Sequence, residues 1–201
     1  MKLFKSIMIA SFLVCTPAIL IQAHDVLLEV KGAYFMSADQ TFKSVFDNGC
    51  GEFGLELTSK FFGDVYGFLS ADFFNKTGET VTFDTPSTFQ STNLAVGLKY
   101  FIPVDCEHVD FYVGLGAQPT YIRTVDSSPF LTDGTTTAWK LGGIAKFGAI
   151  VDITHSLFLD FFIDYSFVHF HFNSSPTAPV QRHDAILNGA LFGAGFGYRF
   201  N

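Results

Sequence analysis

An all-β fold, an eight-stranded antiparallel up-and-down β-barrel, is what this sequence predicts, and three observations carry the prediction. Apolar and polar residues alternate with a period of two through eight segments. The connections between those segments are short and long in strict turn. The 201 residues include 26 Phe and 18 Gly, more rings than a water-soluble core of this size readily hides. The same composition excludes other classes. Charged residues make up 15% and the mean hydropathy is positive, which rules out disorder, and 12 Lys and Arg against 19 Asp and Glu leave no footprint for nucleic acid. The expected architecture has four longer loops at one end and short turns at the other, in a single domain.

The chain opens with Lys2 and Lys5, an apolar stretch from Ile7 to Val14 and the small-residue ending Ile21-Gln22-Ala23, so residues 1–23 read as a cleaved signal peptide and residues 24–201 as the barrel domain. Cleavage leaves 10 basic against 19 acidic residues, a net charge of −9. Beyond it no stretch approaches 18 consecutive apolar residues and no helical period is sustained, which excludes transmembrane helices and a helical bundle.

The first strand sets Val26, Leu28, Val30, Tyr34 and Met36 against Leu27, Glu29, Lys31, Ala33 and Phe35. The second sets Phe53, Leu55, Leu57 and Phe61 against Glu52, Gly54, Glu56, Thr58 and Lys60. Val65, Leu69, Ala71 and Phe73 alternate with Tyr66, Phe68, Ser70 and Asp72 in the third, and Leu94, Val96, Leu98, Tyr100 and Ile102 with Asn93, Ala95, Gly97, Lys99 and Phe101 in the fourth. The fifth places Val109, Phe111, Val113, Leu115 and Ala117 opposite Asp110, Tyr112, Gly114, Gly116 and Gln118; the sixth places Trp139, Leu141, Ala145 and Phe147 opposite Lys140, Gly142, Lys146 and Gly148. The seventh carries Leu157, Leu159, Phe161, Ile163, Tyr165 and Phe167 on one face and Asp160, Phe162, Asp164 and Ser166 on the other. Phe192, Ala194, Phe196, Tyr198 and Phe200 alternate with Gly193, Gly195, Gly197 and Arg199 in the last. Short turns are expected at residues 62–64, 103–108 and 152–156, and long polar loops at 37–51, 75–92, 119–136 and 173–184.

Alternation alone does not say which face points outward, because a soluble lipocalin-like ligand-binding barrel is the inside-out copy of a membrane barrel. Side-chain volume separates them. Large Phe, Leu, Ile, Val and Tyr occupy the apolar face of every strand, and an eight-stranded interior holds few of them. The other face alternates glycine with Tyr66, Phe68, Phe101, Phe158 and Phe162, as a filled lumen needs. Most segments also reach the 9–11 residues or so that cross a bilayer. The sequence therefore predicts a transmembrane barrel with short periplasmic turns and extracellular loops.

The ending Gly193-Ala-Gly-Phe-Gly-Tyr-Arg-Phe200 and the strand Leu94-Ala-Val-Gly-Leu-Lys-Tyr-Phe101 resemble the small eight-stranded outer-membrane barrels of the OmpA, OmpX and OmpW kind, over nearly the whole of residues 24–201. The resemblance implies the outer membrane of a Gram-negative-type cell, outer-membrane lipid as surroundings, and assembly by the barrel-assembly machinery through the C-terminal aromatics Phe196, Tyr198 and Phe200. Family members usually end on the aromatic, whereas Asn201 follows it here. It also raises lipid A deacylases and palmitoyltransferases. The run His169-Phe-His-Phe-Asn-Ser-Ser175 lacks the deacylase His-x-Ser pair, no Glu follows Glu107, and a strand beginning at Val26 leaves no room for the amphipathic helix of the acyltransferases. No catalytic residue, cofactor or metal site is assigned.

The inward parity carries Glu29, Glu56, Asp72, Asp110, Asp160 and Asp164 with Lys31, Lys60, Lys99, Lys140, Lys146 and Arg199, so a charge-paired lumen network is expected, since unpaired charges in a narrow lumen are too costly to desolvate. A gated ion path along the same residues is the sharper alternative. His169, His171 and His183 at the outer rim have zinc-ligand character but read as metal-free histidines. Cys50 in the first long loop and Cys106 in a short turn lie at opposite ends and are not expected to bond. Phe42, Phe46, Phe83, Phe89 and Phe130 are read as loop residues that pack together, touch headgroups or meet a partner. The functional expectation is a monomeric, structural or surface-interacting envelope protein, with an unidentified surface partner met through the loops; the alternatives are passage of small hydrophobic molecules in the OmpW manner and the soluble ligand-binding barrel.

Overall fold

A computed structural model describes residues 25–40, 43, 49–79, 86–106, 108–126, 135–170, 185–186 and 188–200. Its strands are β1 (Val26–Ser37), β2 (Gly49–Phe62), β3 (Val65–Glu79), β4 (Pro86–Ile102), β5 (Val109–Asp126), β6 (Thr135–Asp152), β7 (Leu157–Phe167), β8 (His169–Phe170), β9 (Ala185–Ile186) and β10 (Gly189–Phe200). Eight of them close a barrel in the order β1-β10-β7-β6-β5-β4-β3-β2, while β8 and β9 form a separate two-stranded ribbon. Every neighbour in the barrel is antiparallel, including the closing pair, where Val26 to Ser37 of β1 run in unbroken register against Phe200 to Gly189 of β10. The signal peptide read at residues 1–23 lies outside the described residues.

The period-two alternation turns the apolar parity outward. Leu115, Leu141 and Phe53 are each more than 70% exposed, and they belong to a belt of exposed Leu, Val, Ile, Phe and Tyr that includes residues of all eight barrel strands. The inward parity of β1 buries Leu27, Glu29, Lys31 and Phe35, and that of β7 buries Phe158, Asp160, Phe162 and Asp164. The soluble ligand-binding barrel requires the opposite arrangement, so the structure overturns that alternative: the charges are enclosed and a continuous belt of Leu, Val, Ile, Phe and Tyr faces out.

Small residues stand across the strand ladder from large ones. Gly197 pairs with Phe158, Gly193 with Phe162, Gly148 with Tyr112 and Gly97 with Phe68, and in each case the ring occupies the space a Cβ would need. Rings lying over glycine thereby occupy the interior at these levels. At the turn after β2, Gly63 takes φ +55°, a left-handed conformation that glycine adopts without a steric penalty. Pro119, which has no N–H to give, interrupts the β4–β5 ladder between the pairs Asn93–Thr120 and Val96–Ala117.

The short turns fall where the sequence places them, but two long loops are much shorter than expected. β3 and β4 pair from Val65–Tyr100 out to Glu79–Pro86, and β5 and β6 out to Val125–Thr135, so most of 75–92 and 119–136 is strand. These stretches carry Thr, Asn and Gln on the outward face, which removes the hydropathy contrast while leaving β-propensity intact. β3 to β6 consequently rise past the belt on one side of the barrel, whereas β7 stops its pairing with β6 at Gly143–Phe167. Cys50, read as a loop residue, lies buried on β2, and Phe89 lies buried on β4; Phe42, Phe46, Phe83 and Phe130 are outside the described residues.

Candidate functional site

The barrel encloses a knot of ion pairs at mid-height. Glu56 on β2 is 1% exposed and stands in register opposite another carboxylate, Glu29 of β1. Three lysines converge on it: Lys31 Nζ lies 3.2 Å and Lys146 Nζ 3.0 Å from Oε2, and Lys99 Nζ pairs with Oε1, while Thr58 donates to the same oxygen at 3.3 Å. Lys146 and Lys31 also reach Asp164 Oδ2, at 2.7 and 3.6 Å. Glycines make room for these charges: the Asp72 carboxylate lies over Gly54, that of Glu29 over Gly195, and the stems of Lys99 and Lys146 over Gly114, which stands across the ladder from both.

Aromatic rings complete the surroundings of the ammonium groups. Lys31 lies 3.8 Å from the Phe162 centroid, Lys99 4.1 Å from Tyr112 and Lys146 5.2 Å from Phe68. Tyr112 donates at 2.8 Å to Asp160 Oδ2 and Ser70 at 3.1 Å to Asp72 Oδ2. Two cavities of about 10 Å³, each the size of a water molecule, lie on the long-loop side of the knot; the nearer is lined by Lys31, Glu52, Asp72 and Asp164, and the second by Glu52, Phe74 and Asn93 among others.

The twelve charges expected in one lumen network therefore divide. Glu29, Lys31, Glu56, Asp72, Lys99, Lys146, Asp160 and Asp164 gather at the centre. Arg199 sits instead at the short-turn mouth, 3.4 Å from Asp110 and 3.2 Å from Asp152. Lys60 is exposed at the same mouth, 5.7 Å from the Tyr66 ring. Lys140 lies half-buried on the long-loop side, opposite Thr120. Each has the inward parity, but parity does not encode height along the barrel, which decides whether an inward side chain meets the knot or water. Glu52, buried at 4%, joins the centre; its shared parity with Glu56 is the signal that would have found it.

Around the mouth, Leu27, Tyr66, Phe101, Asp25, Asp110 and Arg199 line a cavity of about 140 Å³. Tyr66 donates at 2.9 Å to Asp25, which holds φ +80°. Partial burial outweighs the nearby Arg199 and lifts the Asp152 carboxyl above its ordinary value.

At the other end the lumen is mixed, an apolar cluster standing beside buried Ser91, Asn93, Gln118, Thr120 and Ser166. Phe35, Cys50, Phe74, Phe89, Ile122, Val168 and Leu191 form one cluster, with Phe74 stacked on Phe35 and on Phe89 at centroid distances of 5.6 Å. Cys50 is buried here and Cys106 is exposed at the far end; both are free thiols. The side chain of His169, and His171 and His183 entirely, lie outside the described residues, among which no group of three metal-ligating side chains occurs.

The closed antiparallel barrel matches a set of solved structures. OprG of Pseudomonas aeruginosa superposes with a TM-score of 0.61 over 89% of this chain and 97% of its own, at 16% identity. The fold is that of the small outer-membrane barrels. Ail of Yersinia pestis, solved with the heparin analogue sucrose octasulfate, aligns at a TM-score of 0.54 and 16% identity over 88% of this chain and 97% of that one. OmpW of Escherichia coli gives 0.54 and 16% over 89% and 98%. At these identities the likeness is one of fold. No family model and no curated protein matches the sequence.

Proposed function

We propose that this chain is an integral outer-membrane barrel whose lumen is sealed, serving the envelope as a structural and surface-presenting protein. The observation that carries the reading is the Lys31, Lys99 and Lys146 knot on Glu56, which spans the bore with a water-sized cavity of about 10 Å³ beside it. The belt supports the membrane setting. On β5 the outward side chains from Phe111 to Tyr121 span ten residue steps, roughly 33 Å of strand, which at a tilt near 40° gives an apolar height of about 25 Å.

The C-terminal strand supplies the signal for assembly in this reading. Phe196, Tyr198 and Phe200 are exposed on the outer face of β10, and Tyr198 and Phe200 pack edge to face at 4.8 Å. Partners are outer-membrane lipid, the assembly machinery and a surface partner met at the long-loop end; the closed barrel leaves no strand edge of β1 or β10 for a second copy, favouring a monomer. No catalysis is assigned.

Reconstituted protein that shows heat-dependent mobility in SDS is expected to give no steady unit conductance in planar bilayers. A regular conductance from such protein would overturn the sealed-lumen reading. A second reading rests on the apolar cluster around Phe74, which gives one side of the outer lumen the chemistry to contact a small hydrophobic molecule. Uptake of such molecules by cells with and without the protein distinguishes it.

A further inference from the structure

We propose that the outward face of β3 to β6, just beyond the apolar belt, docks the phosphorylated sugar headgroup of an outer-leaflet glycolipid, with Arg123 holding the phosphate. The inference rests on the membrane-barrel reading above and adds a ligand class and a site to it.

Strand register lays the face out in rows. Phe73, Thr92, Tyr121 and Trp139 stand side by side across the four strands, and the rings of Tyr121 and Trp139 lie 5.1 Å apart. Trp139 is 63% exposed, and Leu141, two residues toward the centre of the belt, is 73% exposed. A paired Tyr and Trp at the edge of such a belt mark the level where hydrocarbon gives way to headgroups.

The next row outward is Asn75, Gln90, Arg123 and Thr137, again in direct register. It stands about 7 Å further along the strands and spreads hydrogen-bonding groups over a line of about 14 Å. Arg123 and Thr137 are exposed, and Arg123 has no ion-pair partner among the described residues. Beyond it comes the row Thr77, Thr88, Val125 and Thr135. A guanidinium is suited to a phosphate because its planar fork can donate two parallel hydrogen bonds. The amides of Asn75 and Gln90 and the hydroxyl of Thr137 beside it are suited to sugar hydroxyls. Both lie directly above a surface that already receives acyl chains, so one molecule with phosphate, sugar and chains meets all three.

Trp139 is the single tryptophan of the chain, so its emission reports this site alone. The barrel is inserted into phosphatidylcholine vesicles containing increasing fractions of a phosphorylated glycolipid, its dephosphorylated form, or phosphatidylglycerol. The phosphorylated glycolipid is expected to shift Trp139 emission saturably at low mole fraction. R123Q should raise the midpoint roughly tenfold, and R123K should recover part of it, since the charge returns without the fork. Inorganic phosphate alone should leave the emission unchanged. An unaltered midpoint in R123Q overturns the proposal, as does an equal midpoint with the dephosphorylated glycolipid or with phosphatidylglycerol, or the same shift from inorganic phosphate. Vesicle flotation separates the two levels of argument: failure of the wild-type barrel to float with the vesicles overturns the membrane reading itself, whereas flotation with a flat titration overturns the headgroup site alone.

Discussion

Lys146 on β6 and Asp164 on β7 face each other in register, with 2.7 Å between Nζ and Oδ2, and the same ammonium reaches Glu56 on the far wall at 3.0 Å. One side chain thus ties adjacent strands together and spans the bore, so the knot is a cross-brace as well as a plug.

Breaking that brace from one side leaves buried carboxylates without their cation. Lys146→Met is expected to cost about 3–5 kcal/mol, read from urea unfolding in detergent micelles. Adding Asp164→Leu should recover part of the loss, because Glu56 keeps Lys31 and Lys99. Strict additivity of the two substitutions would show that the pair is not coupled.

Gly197 faces Phe158, a ring with no exposed surface. Gly197→Val forces the ring from its place and should destabilise by about 1–3 kcal/mol, lowering the temperature at which the folded band converts in SDS. Gly197→Val combined with Phe158→Ala should regain part of that temperature; no recovery would place the strain elsewhere.

The belt predicts a depth-dependent response to charge. Leu115→Arg, near the middle of the outward β5 face, should cost about 2–4 kcal/mol, and Tyr121→Arg at its edge about 0–1 kcal/mol. Equal costs measured by unfolding in lipid vesicles would remove the proposed boundary.

The two thiols differ in access. Cys106 is exposed in the short turn and should react with a soluble maleimide in the folded barrel within minutes, whereas Cys50 in the aromatic cluster should react only after heating in SDS. In intact cells an impermeant maleimide should label neither thiol, since Cys106 belongs to the inner end in the proposed orientation; labelling of Cys106 from outside would invert the topology.

Much of this was legible in the strand pattern. A period of two assigns the outward Leu and Phe of the belt, failing at the end of β2 where Phe61 and Phe62 are both exposed; composition suggests rings over glycine, and register places Gly193 against Phe162. The pattern hides strand where Thr77, Thr88, Gln90 and Thr92 put polar side chains on the outward face, since a strand beyond the hydrocarbon has no need of apolar contrast. Phe89 reads as coil in the sequence for the same reason, although it packs on Phe74.

By itself the sequence determined which face each side chain takes, because successive residues of a strand point to opposite sides whatever their neighbours do. Tertiary structure alone decided height and company. Strand tilt and stagger set the level at which each inward charge sits, so Lys31, Lys99 and Lys146 meet at Glu56 while Arg199 reaches Asp110 and Asp152 at the mouth. That axial order depends on the register of eight strands closing at once, a non-local quantity that no single segment carries.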